Sequence, residues 1–277
     1  MRIAILNRDG IGGGGATRAA RRLRAGLRLR GHEALMVSPP QGHDPEGIAV
    51  EPAETDESHD PLASRANRLL QEGYIGPRRT ALSNTLFSPE IAGYSFARCD
   101  ALDAFDIINI HWVPGFIAPH NLESILGLGK PVVLTLHDMA AFTGGCHYSA
   151  GCGRYREDCS PCPQLEHDIL QLARWTLGTK RRLLRHNNLF AVAPSSWLAA
   201  CASASGLFQP GNVEAVPNGI ETDIFAPHEK TAAKAALGID PDVKTVLCGA
   251  ENHREHRKGL DLFMAMLERL KDDPFVA

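Results

Sequence analysis

Four consecutive glycines, residues 12–15, stand between a short apolar run and an arginine-rich stretch of helical spacing, and this junction constrains the fold more than any other feature. Residues 2–6 (RIAIL) read as a buried strand, residues 17–30 as a helix stopped by Gly31, and residues 34–37 as a second strand. Strand, glycine turn, helix and strand make a βαβ unit. Such a turn lets backbone N–H groups approach an anion, and the helix N-terminus adds partial positive charge. Four glycines in a row lose much conformational freedom on folding, which favours a phosphate-binding turn over a bare one.

The alternation continues. Apolar runs at residues 107–110, 132–136, 190–193 and 213–216 read as strands, with helices expected over 61–72 and 165–185 and from Ser196. Residues 39–58, rich in Pro, Glu, Asp and His, read as an irregular surface excursion. Strands alternating with helices predict an α/β chain built on a doubly wound parallel sheet. A first domain of about six strands is expected over residues 1–216, and a linker over 217–227. A second domain begins at residue 228, with a helix at 231–236, a strand at 245–248 and a helix at 260–270. One strand and two helices do not close a sheet core, so this second domain reads as truncated.

At 277 residues two domains are expected. A net charge of -3 gives no electrostatic footprint for nucleic acid. No run approaches the roughly 18 apolar residues of a membrane span, and the apolar start is too short for a secretory leader. A cytoplasmic protein is expected. There, seven cysteines point to metal binding or plain burial rather than to disulfides.

Gly10, Gly12 and Gly15 also match G-x-G-x-x-G, the fingerprint of a nicotinamide-dependent oxidoreductase. That site wants an acidic residue at the end of the second strand, where this chain has Met36, Val37, Ser38 and Pro39. The helix after the turn carries Arg18, Arg21, Arg22, Arg24, Arg28 and Arg30 opposite an apolar stripe of Ala16, Ala20, Leu23 and Leu27. The simpler reading is a solvated basic face. The sharper one is contact with anionic lipid head groups or a lipid-linked diphosphate. Arg18, beside the glycines, is placed to reach a bound phosphate.

In open parallel sheets, ligands sit beyond the carboxyl ends of the strands. Two runs here end in histidine: residues 107–110 lead into His111 and Trp112, and residues 132–136 into His137 and Asp138. His137 and His111 are therefore site candidates. Trp112 either stacks on an acceptor sugar ring or packs in the core. Cys146, Cys152, Cys159 and Cys162 follow in a C-x5-C-x6-C-x2-C pattern, which can close a tetrahedral structural zinc site, with His147 as a substitute ligand. Two disulfides or free thiols are the alternatives. Cys99, Cys201 and Cys248 are isolated and read as buried apolar residues.

The block at residues 134–165, LTLHDMAAFTGGCHYSAGCGRYREDCSPCPQL, resembles a branch of the family-4 retaining glycosyltransferases that includes colanic-acid and other exopolysaccharide enzymes. The glycine turn with Thr17 and Arg18, and the segments LFSPEIAGY, INIHW, VAPSSWLA and VPNGIETDIFAP, resemble that family as well. The resemblance implies a GT-B architecture of two Rossmann-like domains, an acceptor-binding domain followed by a nucleotide-sugar-binding one. It implies transfer from a UDP- or GDP-sugar to a glycan or lipid-linked acceptor with retention, without a catalytic metal. With the basic helix, a cytoplasmic place with peripheral contact at the inner face of the membrane is expected. Gly13, Gly14 and Gly15 would approach the donor phosphates with Arg18. His137 would lie at the reacting centre, and Lys258 would reach the diphosphate. From their place at the strand ends, His111, Trp112 and Asp138 are expected on the acceptor side. The family's arginine after the glycine of that strand is replaced here by Ala250, leaving Arg254 and Arg257 to take its role. The family's E-x7-E pair has no counterpart in this sequence. The chain is therefore expected to be a piece of a longer enzyme or one part of a split one. The competing expectations are an inactive acceptor-binding module and, on the glycine fingerprint, an oxidoreductase; a zinc-ribbon nucleic-acid binder fits the charge poorly.

Overall fold

The computed structural model describes residues 1–10, 12–39, 45–49, 62–83, 85–89, 100–111, 113–250 and 255–271. Trp112, Arg254, Cys99, most of the expected excursion at 39–58 and the end of the LFSPEIAGY segment lie outside these residues. The chain forms two compact units, Met1–Gly219 and Ile220–Ala277.

Among the described residues, the first unit is organised by seven strands: β1 (Arg2–Leu6), β2 (Glu33–Ser38), β3 (Ile48–Ala49), β4 (Ile107–Ile110), β5 (Val132–Thr135), β6 (Leu189–Ala193) and β7 (Val213–Ala215). They lie side by side in the order β3-β2-β1-β4-β5-β6-β7, and every pairing is parallel. The expected doubly wound sheet is present, with β3 as a seventh strand inside a segment read from sequence as irregular. β3 is only two residues long, too short to carry a periodic signal.

Among the described residues, the helices that connect the strands are α1 (Gly15–Leu29), α2 (Leu62–Leu69), α3 (Gly76–Arg78), α4 (Asp100–Asp103), α5 (Pro119–Gly127), α6 (Leu172–Leu183) and α7 (Ser196–Ala204). Between α2 and α3 the chain makes a π-helical turn, Leu70–Ile75. The two-residue period of the strands sorts their side chains between two faces. Ile3 and Ile5 of β1 and Ala34 and Met36 of β2 pack with Ala20 and Leu27 of α1. Ala4, Leu6 and Val37 point the other way, into the main core with Ile125 of α5, Leu177 of α6 and Leu198 of α7. The strand order reverses between β1 and β4, so right-handed crossovers put the connecting helices on opposite faces; such a switch point is where these sheets bind ligands.

Helix α6 begins later than the expected residue 165. His167 (φ 51°) and Gln171 (φ 48°) adopt left-handed backbone, which a continuous helix does not allow. The Asp168 carboxylate then receives the N–H groups of Leu172 (2.9 Å) and Ala173 (3.3 Å), so an acidic side chain starts the helix.

The second unit holds α8 (Lys230–Ala236) and α9 (Leu260–Leu270). The strand expected over residues 245–248 does not form: residues 244–250 have no regular structure. An apolar run becomes a strand only beside a hydrogen-bonding neighbour, and no other strand occurs among the described residues of this unit. Val246 and Leu247 stand 69% and 95% exposed as a result.

Candidate functional site at the carboxyl edge of the sheet

The register aligns Leu6, Ile110 and Leu134 across β1, β4 and β5. The chain beyond each therefore emerges on the same edge. The His111 N–H extends the ladder by one rung to the Leu6 carbonyl (2.9 Å), and the Leu136 N–H does the same to Val192 (2.7 Å). The two strand-end histidines are thereby brought together: His111 Nδ1 lies 3.0 Å from His137 Nε2, with the rings tilted by 35°. Both face a largely apolar cavity of about 130 Å³ bounded by Ile110, Val113, Leu134 and Leu184.

This environment disfavours the charged form of both rings. Burial, reinforced by the neighbouring His137, pushes His111 down to about 3. Burial also lowers His137, with the Asp138 carboxylate pulling part of the way back. In a neutral pair one ring donates the shared hydrogen and the other accepts it. The Nε2 of His111 is buried and meets no hydrogen-bond partner among the described residues. A neutral imidazole in such a place can orient a hydroxyl without introducing charge.

Asp138 turns to the loop rather than to open space. Its Oδ2 is 2.7 Å from His147 Nδ1 and its Oδ1 accepts the Ala140 N–H at 2.8 Å. The second ring nitrogen of His147 is 3.0 Å from Ser88 Oγ, and His147 is only 2% exposed. The Ser88–His147–Asp138 chain thus ties three separate segments together beside His137. Sequence reasoning missed Ser88 and treated His147 only as a spare metal ligand. Their partnership depends on the Phe87–Cys146 bridge, which pairs residues distant in sequence.

The glycine turn divides into two parts. A Cβ on Gly13 would lie 2.8 Å from Asp9 Cβ and nearer still to the Thr17 hydroxyl. Thr17 is buried and accepts a hydrogen bond from the Asn7 amide at 2.9 Å, so Gly13 is required by packing. Gly14 and Gly15 are exposed, with open space where a Cβ would project. Gly14 is the N-cap of α1, which has neither a capping side chain nor an acidic residue in its first turn. Its leading N–H groups therefore remain available to an anion. Arg18 is exposed in the next turn, while Arg24 and Arg28, further along, reach Glu46.

Beside the switch point, Arg8, Arg68 and Arg79 line a second cavity with Ser88, Pro114 and Gly115, and no carboxylate lies among its described lining residues. Arg8 lies two residues past the end of β1, and Gly115 five past the end of β4. None of the three arginines stood out in the sequence, because they come from separate segments.

In the cysteine loop, burial pushes Cys146 up to about 11 and Cys159 up to about 12. Cys201, read from sequence as buried, is partly exposed, and Cys248 is exposed. In the second unit, Lys258 closes a 3-10 turn, His256–Lys258, and Gly259 (φ 71°) follows it as the left-handed residue that starts α9. Arg257 Nε bonds Glu255 at 2.6 Å.

The sequence pattern of Glycosyltransferase Family 4 matches residues 13–224. That is well over half of the chain, which belongs to this family. A stretch of 132 residues is 26% identical to the putative colanic acid biosynthesis glycosyl transferase WcaC of Escherichia coli (strain K12), covering 42% of this chain and 30% of that protein. Among solved structures, the chain resembles HepE of Anabaena in complex with UDP (16% identity, TM-score 0.40, covering 86% of this chain and 50% of that one). It also resembles MurG of Acinetobacter baumannii (12% identity, TM-score 0.32, covering 80% and 47%). The chain thus spans about half the length of these solved relatives, and less of the curated one.

Proposed function

We propose that the chain forms the acceptor-binding lobe, and the opening of the donor-binding lobe, of a GT-B glycosyltransferase that builds polysaccharide. It would move a sugar from a UDP- or GDP-sugar to a glycan or lipid-linked acceptor, with retention of configuration. Family membership supports the reaction class. The observation that carries the reading to particular residues is the uncharged His111–His137 pair beside the switch point of the sheet.

In this reading the sugar lies against His137, whose imidazole orients it by hydrogen bonding, and His111 fixes the tautomer and tilt of that ring. Negative charge grows on the departing diphosphate, and stabilising it is the main catalytic task. The uncapped N–H groups after Gly14 and the Arg18 guanidinium serve that purpose from the first unit, and Lys258 with Arg257 and Arg254 from the second. Their place at the strand ends gives Asp138 and Trp112 acceptor-side roles. Asp138 acts through His147 by holding the strand end in place. The arginine-lined cavity suits the phosphates of a lipid-linked acceptor. Among the described residues no helix is long and apolar enough to cross a membrane. Peripheral contact with the inner membrane face, through exposed arginines such as Arg18 and Arg21 of α1 and Arg30 just after it, belongs to the same proposal.

The test is a transfer assay on a full-length protein containing this chain, offered UDP- and GDP-sugars with lipid-diphosphate acceptors. NMR of the product reads the anomeric configuration. Sugar transfer with retention is expected. Acceptor binding without nucleotide-sugar turnover would leave a binding module only, and binding of neither would overturn the reading.

A further inference from the structure

Residues 143–165 bring four sulfurs to one place. Cys146, Cys152, Cys159 and Cys162 line a single small void, together with Tyr155 and Arg154. Three of them arrive by different local devices. Cys146 is fixed by its bridge to Phe87, Cys152 follows the left-handed residues Ala150 (φ 50°) and Gly151 (φ 82°), and Cys159 is itself left-handed (φ 60°). A non-glycine residue in that region needs a compensating reason to stay there.

Main-chain donors already address the sulfurs. The Arg154 N–H lies 3.5 Å from Cys152 Sγ. Backbone hydrogen bonds reach Cys159 from Gly144, and Cys162 from Gln164 and Leu165. The main-chain N–H groups two residues after Cys152 and two and three residues after Cys162 thus point at sulfur. The sulfurs do not yet form a closed cage, since no group of three or more His, Cys, Asp or Glu among the described residues has metal-ligating spacing. His147 is withdrawn from any ligand role, because both ring nitrogens are engaged by Asp138 and Ser88.

We propose that Cys146, Cys152, Cys159 and Cys162 bind one structural Zn²⁺ as four thiolates. Binding releases the four thiol protons to solvent and draws the sulfurs inward to about 2.3 Å from the metal. The resulting double negative charge is offset by Arg154 at the void and by Lys180, whose charge reaches Cys146. With all four positions filled there is none for substrate, so the metal is structural. Its purpose lies in the neighbouring residue. Cys146 precedes His147, so a metal that holds Cys146 also holds the imidazole that clamps Asp138 beside His137.

The experiment reads metal rather than sugar transfer, so its outcome is separate from that of the proposed activity. Protein produced with zinc present and then dialysed should carry about one zinc per chain. The four thiols should resist a thiol reagent until a chelator is added. After stripping, cobalt should give the strong visible bands of tetrahedral coordination with thiolate-to-cobalt charge transfer. Cys152→Ser and Cys162→Ser, at the two partly exposed positions, should each lower metal retention at least tenfold. If these variants do not fold, the cobalt titration of the stripped parent protein decides alone. Metal-free protein with freely reactive thiols, a mass showing disulfides, or a cobalt spectrum without thiolate charge transfer would each overturn the assignment.

Discussion

His111 and His137, 26 residues apart in sequence, share one hydrogen bond of 3.0 Å at the edge of the sheet. The contact follows from strand register. β4 and β5 are adjacent and parallel, so residues just past their ends become neighbours. Burial then decides protonation, since two imidazoles at this distance in an apolar cavity cannot both carry charge. The pair is a fixed, neutral hydrogen-bonding element, which suits positioning of a sugar better than proton transfer.

That neutrality makes stability depend on pH. The folded-state value for His111 lies near 3, below the ordinary 6.5 of the unfolded chain, so between these values the unfolded state binds more protons. The contribution is fully present above about pH 6.5 and is lost as pH falls toward 3. The slope for one such group reaches at most about 1.4 kcal/mol per pH unit. Urea unfolding of the parent protein should show stability falling over this window. His111→Asn should flatten the profile, and an unchanged profile would show that His111 already titrates normally in the folded protein.

The Ser88–His147–Asp138 chain gives a second expectation. A buried hydrogen bond to a charged group contributes about 1.5–3 kcal/mol, and removing one partner leaves the other exposed to its desolvation cost. His147→Ala should lower unfolding free energy by about 2–3 kcal/mol on that basis. Ser88→Ala, which removes only the outer contact, should cost about 1 kcal/mol. Equal effects of the two changes in urea titrations would argue against this order.

Much of the scaffold was legible in the sequence. β1, β4, β5 and β6 are apolar runs because the middle of a parallel sheet is covered on both faces, and the site histidines stand out because each lies just past the end of such a run. The features that escaped were set by partners distant in sequence. β3 is a strand only because β2 offers an edge, and the run at 245–248 is not one because its unit offers none among the described residues. The start of α6 depends on Asp168, which also receives a hydrogen bond from Tyr74 (2.8 Å), a residue 94 positions away. Arg8, Arg68 and Arg79 likewise look unrelated until the sheet edge gathers them.

The glycine turn separates packing from ligand binding. Gly13→Ala drives a methyl group into Thr17 and Asp9 and should cost about 1–3 kcal/mol, the usual range for overpacking. Gly15→Ala meets open space at the first residue of a helix, where alanine stabilises by up to about 1 kcal/mol. Stability should therefore fall only for Gly13→Ala. If donor phosphate approaches the exposed glycines, Gly15→Ala should still raise KM for the nucleotide-sugar in the full-length enzyme. An unchanged KM would remove Gly15 from the donor site.

The arginine-lined cavity predicts a salt-dependent anion site in the first unit. Arg8 is exposed at its rim, with side-chain accessibility of 54% and only a 4.0 Å approach to Asp9, so replacing it should disturb little of the fold. A charge-assisted hydrogen bond contributes about 1.5–3 kcal/mol, so Arg8→Ala should weaken pyrophosphate binding by roughly tenfold or more. Raising salt should weaken binding to the parent protein more than to the variant, because one screened contact is gone from the latter. Arg79 is the wrong choice for this experiment, since it bonds Ser83 Oγ (2.7 Å) and the Ser83 carbonyl (2.6 Å), and its loss would disturb the turn as well as the charge. Calorimetry showing the same pyrophosphate affinity for Arg8→Ala and parent at low salt would place the acceptor phosphates elsewhere on the sheet edge.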